Sequence, residues 1–159
     1  MAEGRCLVVY YSRTGTTKQL AERIAEMLGA DVEEVVDTKK RSGVLGFVVG
    51  GKDARLKRLT AIEKVQKDPA DYELVALGTP VWAWTMSPAI RTYVTEQKGR
   101  LPAVAFFLTT GGSGMASTFE ALAELCGKAP VATLGLKQRQ VLKGDPSAPI
   151  AAFVEALKG

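Results

Sequence analysis

Val8-Val9-Tyr10-Tyr11-Ser12-Arg13-Thr14-Gly15-Thr16-Thr17-Lys18-Gln19-Leu20-Ala21 decides the reading of this chain. An apolar run of strand character ends abruptly at Ser12 in a loop rich in hydroxyls and glycine. That loop runs straight into a stretch with amphipathic helical pattern. A strand feeding a polar loop at a helix N-terminus is an anion site. The first helical amides have no partner inside the helix, and the helix dipole favours negative charge there. Ser12, Thr14, Thr16 and Thr17 bring four hydroxyls to the same point, and Gly15 lets the backbone approach closely. The ligand this pattern predicts is a phosphate group.

The commoner phosphate motifs are absent. No Gly-x-x-x-x-Gly-Lys-Ser/Thr occurs, which argues against a nucleoside triphosphatase, and no Gly-x-Gly-x-x-Gly follows the first strand, which argues against a dinucleotide crossover. Histidine is also absent. That removes Ser-His and Cys-His nucleophile pairs and most catalytic zinc sites. Chemistry here is expected to belong to a bound cofactor. Cys6 and Cys126 are too few for a disulfide framework, and both sit in apolar segments, so they read as core thiols.

At 159 residues the chain is expected to form a single domain over 1–159. No apolar run approaches the ~18 residues that span a bilayer. The first five residues lack a signal-peptide shape, because Val8 to Tyr11 is too short for its apolar region, so a cytoplasmic, non-membrane-spanning protein is the expectation. The net charge of +4 is unevenly spread. Residues 37–67 hold nine Lys or Arg against three Asp or Glu. This local excess suits an acidic partner, a nucleotide phosphate or a membrane surface, or simply a solvated helix face. No nucleic-acid partner is expected.

Strand and helix patterns alternate along the chain. Strands are expected at Arg5 to Tyr11, Asp31 to Val36, Tyr72 to Gly78, Ala103 to Thr109 and Val131 to Leu136. Helices are expected at Thr16 to Leu28, Ser87 to Gln97, Ser117 to Cys126 and Ile150 to Leu157. Such a βαβ series predicts a five-stranded parallel sheet with helices on both faces, in the order 2-1-3-4-5. The interval 38–70 is too long for a simple crossover and reads as a basic insertion. It contains an apolar, glycine-rich part from Ser42 to Gly51 and a basic helix expected from about Asp53 to Lys64. It is either a lid near the ligand or a packed surface insertion.

In this fold the loops after strands one, three and four meet at the carboxyl edge of the sheet. The second loop, Gly78-Thr79-Pro80-Val81-Trp82-Ala83-Trp84-Thr85-Met86-Ser87-Pro88, holds both tryptophans of the protein. An aromatic ring offers stacking worth ~0.5–1.5 kcal/mol beyond plain burial. The third loop, Thr109-Thr110-Gly111-Gly112-Ser113-Gly114-Met115, is built of small residues whose amides can approach a ligand.

The first loop resembles the signature of the flavodoxin family, which cradles the phosphate of FMN. The signature positions are filled by Val8, Val9, Tyr10, Ser12, Gly15, Thr17 and Ala21, without a mismatch. The resemblance extends over nearly the whole chain, since all three loops fall in the family's order and spacing. It implies that Ser12, Arg13, Thr14, Gly15, Thr16 and Thr17 hold phosphate. It implies further that Thr79, Pro80, Val81, Trp82, Ala83, Trp84 and Thr85, with Thr110, Gly111, Gly112, Ser113 and Gly114, hold the isoalloxazine. No metal site and no catalytic side chain are implied.

Three departures stand out. Typical electron carriers of the family are acidic, whereas this chain is basic. Many place Gly after the loop-two tryptophan, where a peptide flip supports the semiquinone; here Ala83 follows Trp82, and a flip to positive φ would meet a Cβ cost. Many also stack a tyrosine from the third loop, but 109–118 contains no aromatic. The expected function is electron transfer between a reductase and an acceptor protein. The alternative is an FMN-dependent NAD(P)H:quinone reductase of the same fold, with small quinone and NAD(P)H as partners. A third is a flavin-free binding module.

Overall fold

The computed structural model describes residues 5–39, 41 and 43–159. Its sheet is built from β1 (Cys6–Tyr10), β2 (Asp31–Glu34), β3 (Leu74–Trp82), β4 (Thr85–Met86), β5 (Ala103–Thr110) and β6 (Thr133–Lys137). The helices are α1 (Thr16–Leu28), α2 (Gly43–Arg55), α3 (Pro88–Gln97), α4 (Met115–Cys126), α5 (Gln138–Leu142) and α6 (Ser147–Lys158). Five strands pair in parallel in the order β2-β1-β3-β5-β6. This is the expected doubly wound order. The one addition is β4, which folds back antiparallel on the end of β3.

Strand period explains why the sheet reads as continuous apolar runs. Successive side chains leave opposite faces, and both faces are covered. Leu7, Val9, Leu77 and Phe106 enter one core with Ile90, Tyr93 and Leu122 of α3 and α4. Val8, Tyr10, Ala76 and Phe107 enter the other with Leu20 and Ile24 of α1 and Phe153 of α6. Helix α3 begins as its sequence predicts, with Ser87 as N-cap accepting from the Ile90 amide and Pro88 at the first position.

Several boundaries differ from expectation. β3 runs on through Pro80 to Trp82 because β4 pairs with its end, so the second loop is a hairpin rather than an open coil. Its two turn residues, Ala83 and Trp84, both have positive φ (49° and 65°). That is the backbone of a type I′ turn, whose twist matches the flanking strands. The Cβ cost expected for Ala83 is therefore already present in the fold. β2 stops at Glu34, although the Val35 amide still reaches the Tyr10 carbonyl. The short α5 was not expected.

The largest correction concerns the insertion. Its helix is Gly43–Arg55, one segment earlier than the basic stretch expected at 53–64. Helix α2 is inverted. It buries Gly46, Gly50, Asp53 and Ala54 and turns Val44, Leu45, Phe47 and Val48 outward. The buried glycines permit contact that no larger residue would allow. A Cβ on Gly46 would lie 2.2 Å from the Arg41 backbone, and one on Gly50 would lie 2.9 Å from the Trp82 ring. Ion pairs hold the helix down. The buried Arg41 donates to Asp37 at 2.6 Å and to Asp53 at 3.1 Å, and Asp53 also accepts from Lys39 and Arg58. The rest of the insertion is a strap. The Thr38 amide donates to Ala61, Thr60 and Thr92 bond to each other, and buried Glu33 accepts the amides of Gln66 and Lys67. The insertion is thus packed against the sheet edge.

Candidate functional site

At the carboxyl edge, Gly15 caps α1 with φ 101°, a conformation that favours glycine. Its amide donates to Ser12 Oγ at 3.0 Å, which closes the loop. The first intrahelical bond runs from Gln19 N to Gly15 O. The amides of Thr16, Thr17 and Lys18 come before it in the helix and point along the axis at the loop. Thr14 is exposed, while Thr16 and Thr17 are buried. The Thr17 hydroxyl is engaged by Thr109 Oγ1 at 2.7 Å, so it braces α1 against β5. Arg13 donates to the Arg41 carbonyl at 3.1 Å, and its guanidinium lies 5.6 Å from the Phe47 ring centre. Burial, followed by the nearby Asp37 carboxylate, pushes the Tyr11 phenol up to about 12, so it stays protonated.

A cavity of about 280 Å³ opens over this loop. Ser12, Arg13, Thr14, Thr16 and Thr17 form one wall, and Pro80, Val81 and Trp82 form another. A second cavity of about 270 Å³ adjoins it, walled by Ala83, Trp84, Thr110, Gly111, Gly112 and Ser113. Val81 and Gly111 border both. A smaller recess of about 70 Å³ lies beside Val81, between Phe47, Gly51, Trp82 and Ala83. The three spaces adjoin around Val81 and together make up a groove region from the α1 N-terminus to the β3–β4 hairpin.

The two tryptophans differ in circumstance. Trp82 is clamped, with its ring edge-on to Tyr11 at 5.5 Å, Arg41 over it at 5.7 Å, and Gly50 of α2 against it. Trp84 is 62% exposed beside the second cavity. Its carbonyl accepts from Ser117 Oγ at 2.6 Å, which laces the hairpin to α4. Gly114 caps α4 with φ 95°, and a Cβ there would strike Val81 and Trp84. Thr110 donates to the Ser113 carbonyl and accepts the Gly112 amide, so the third loop holds its own shape.

Most of the residues expected at the site line the groove. Gly15 and Gly114 do not; they set the helix starts instead. Thr79 is turned inward: its hydroxyl accepts the Ser87 amide at 3.0 Å and lies 2.8 Å from the Pro80 carbonyl. Thr85 accepts from buried Arg91 at 3.0 Å, below the hairpin. Phe47, Gly51, Thr109 and Gln138 also line the groove; the first two come from the stretch that the lid reading set near the ligand, Thr109 opens the third loop, and Gln138 had no expected place there. The apolar run Val44–Val49 was the one signal for Phe47; Gln138 had none, because α5 was not foreseen. Burial raises both cysteine thiols to about 11, so neither is a ready nucleophile. A larger cavity, about 560 Å³, opens at the opposite sheet edge near Arg5, Cys6, Glu73 and Val131. It gathers no hydroxyls and no helix N-terminus, and lies away from the edge where such sheets bind ligands.

The flavodoxin family profile matches residues 5–156. This chain belongs to the flavodoxin family. Solved structures of flavodoxin-like proteins share the fold. One is a putative flavoprotein from Bacteroides eggerthii, 22% identical, with 99% of each chain covered and a TM-score of 0.77. Another is a flavoprotein from Lactobacillus acidophilus in complex with FMN, 20% identical, covering 87% of this chain and 96% of that one, with a TM-score of 0.71. A third is the two-electron reduced flavodoxin of Megasphaera elsdenii, 20% identical, with 96% and 98% covered and a TM-score of 0.56. No curated protein sequence matches the chain. Among the described residues of this flavodoxin-family chain, no helix is long and apolar enough to cross a membrane, and no cluster of His, Cys, Asp or Glu suits a metal ion.

Proposed function

We propose that the chain acts as one unit that binds a single FMN non-covalently in this groove and passes electrons from a reductase to an acceptor. The observation that carries the reading is that the cavities of the groove adjoin at Val81 and Gly111. The groove joins an amide- and hydroxyl-rich helix N-terminus to a wall made of Trp84 and the small residues 110–113. An anion at one end and a flat ring at the other describe a flavin mononucleotide. That a flavoprotein of similar fold was solved with FMN adds support.

On this reading the amides of Thr16, Thr17 and Lys18 and the Thr14 hydroxyl hold the phosphate, with Arg13 opposing its charge. Trp84 stacks on the ring, and the amides of Gly111 and Ser113 face its polar edge, where they oppose negative charge, while the Gly112 amide stays with Thr110. Bound FMN supplies the electron chemistry. The chain's own part is to hold the ring, exclude water from one face and keep nearby groups from titrating, as burial does for Tyr11.

The second reading, an NAD(P)H:quinone reductase, is favoured by one observation. Gly111, Gly112 and Ser113 are exposed and 109–118 holds no aromatic, so the third loop brings no ring to the groove. Stopped-flow reduction of the FMN-loaded protein separates the two. The carrier reading predicts slow bleaching by NADPH and rapid electron exchange with a flavoprotein reductase. Fast bleaching by NADPH followed by quinone turnover contradicts the carrier reading and supports the enzyme.

A further inference from the structure

We propose that α2 is a docking element that seats the groove end of the molecule on an anionic lipid surface. The helix is built inside out. Its inner face is Gly46, Gly50, Asp53 and Ala54, while Val44, Leu45, Phe47 and Val48 stand 82, 76, 64 and 58% exposed. A surface helix ordinarily turns such residues to the core, and contiguous exposed apolar side chains mark an interaction face. Leu56 and Leu59 extend the apolar face beyond the helix, each more than half exposed.

Charge selects the partner. Lys52, Arg55, Lys57 and Arg58 are exposed within and just beyond the helix. The only carboxylate between positions 38 and 62 is Asp53, which is buried and engaged by Lys39, Arg41 and Arg58. The surface is therefore apolar and cationic, the combination that binds at an anionic bilayer interface. An acidic protein face would answer the lysines and arginines. It would leave unanswered a row of aliphatic and aromatic side chains standing out from a convex helix. A fluid lipid interface accepts both. No spanning segment is required, because the apolar side chains reach only the headgroup and acyl boundary.

The placement has a consequence for the proposed electron transfer. Phe47 belongs both to the outward face and to the wall of the groove. Lipid docking through α2 would bring the groove mouth to the membrane surface, where an acceptor of the lipophilic quinone class resides. That consequence rests on the FMN reading, but the lipid contact does not. Co-sedimentation with vesicles detects protein in the pellet with or without flavin, so failure of FMN binding and failure of docking are distinguishable.

The full chain, with and without FMN, should be sedimented with phosphatidylcholine vesicles and with phosphatidylcholine–phosphatidylglycerol vesicles. We expect binding to the anionic vesicles at least about tenfold stronger than to the neutral ones, and weakening with salt. The variant Val44→Ser/Leu45→Ser/Val48→Ser should lose about tenfold or more of that binding while its thermal midpoint stays unchanged, because all three residues are exposed. The variant Lys52→Gln/Arg55→Gln/Lys57→Gln should lose a similar factor. Absence of binding to anionic vesicles overturns the proposal. So does binding that the serine variant leaves intact, since it would show that the apolar face takes no part in the contact. A wild-type dimer in sedimentation that the serine variant dissociates, without vesicle binding, would also overturn it and assign the face to a second copy.

Discussion

The hydroxyls of Thr17 and Thr109 lie 2.7 Å apart in the interior, joining the first turn of α1 to the end of β5 across 92 positions of sequence. This bond fixes how the N-terminal end of α1 sits on the sheet. Replacing either residue by valine keeps the shape and leaves the other hydroxyl buried without a partner. Each of Thr17→Val and Thr109→Val should cost about 1–3 kcal/mol of stability. The double variant should cost less than the sum, because no orphaned hydroxyl remains. Urea denaturation of the four proteins measures this; simple additivity would contradict the bond.

Asp53 governs whether α2 stays docked. Burial alone would raise its pKa, but hydrogen bonds from Lys39, Arg41 and Arg58 outweigh that and hold it below the ordinary 3.8. A carboxylate with a lowered folded-state pKa contributes stability that is present above its ordinary value. That stability is lost as pH falls through the folded value. α2 should therefore detach on acidification, and Asp53→Asn should undock it at neutral pH at a cost of up to about 3 kcal/mol. The emission of Trp82, read in a Trp84→Phe background, reports the change because Gly50 packs on its ring. Emission that does not change through this acid range would contradict the account.

Ala83 sits at φ 49° in a two-residue turn that favours asparagine or glycine. The conformation costs an L-residue with a Cβ about 1–2 kcal/mol. Ala83→Asn should raise stability by about 0.5–1 kcal/mol, and Ala83→Val should lower it by a similar amount or more. Thermal denaturation of the three proteins checks the order; a stabilising valine would contradict the turn assignment.

These positions show what the sequence made legible. The parallel sheet followed from apolar runs that need both faces buried, Ala103–Thr109 above all, and from Ser87-Pro88 as a helix start. The loop between β1 and α1 followed from the hydroxyls and glycine crowded between an apolar run and an amphipathic one. Helix α2 did not, because its position rests on tertiary fit against local preference. Gly43, Gly46, Gly50 and Gly51 disfavour helix locally. Two of them are used because Arg41 and Trp82 leave no room for a Cβ. The hairpin was equally hidden. Ala-Trp is a poor type I′ sequence, and only the pairing of Trp82 with Thr85 compels it. Thr79 looked like a loop residue because nothing local shows that its hydroxyl is needed to hold Ser87.

Phe47 reaches the groove from the insertion. Its ring is exposed and touches Arg13, a cation–π contact worth about 0.5–1 kcal/mol at such a site. Phe47→Ala should therefore change stability by less than about 1 kcal/mol. It should nonetheless speed FMN release severalfold, because it removes one wall of the cavity. Stopped-flow displacement of FMN measures the release; an unchanged rate would place Phe47 outside the site.

The central claim is that the loop Ser12–Thr17 recognises a phosphate carried by a flavin. Comparing FMN with riboflavin, which has the same ring and no phosphate, tests it most directly. Titration of the protein, followed by quenching of flavin fluorescence, should give one FMN per chain. FMN should bind at least about tenfold more tightly than riboflavin, since even one lost charge-assisted hydrogen bond amounts to that factor. Equal affinity for the two, or no FMN binding at micromolar concentration, would contradict the account.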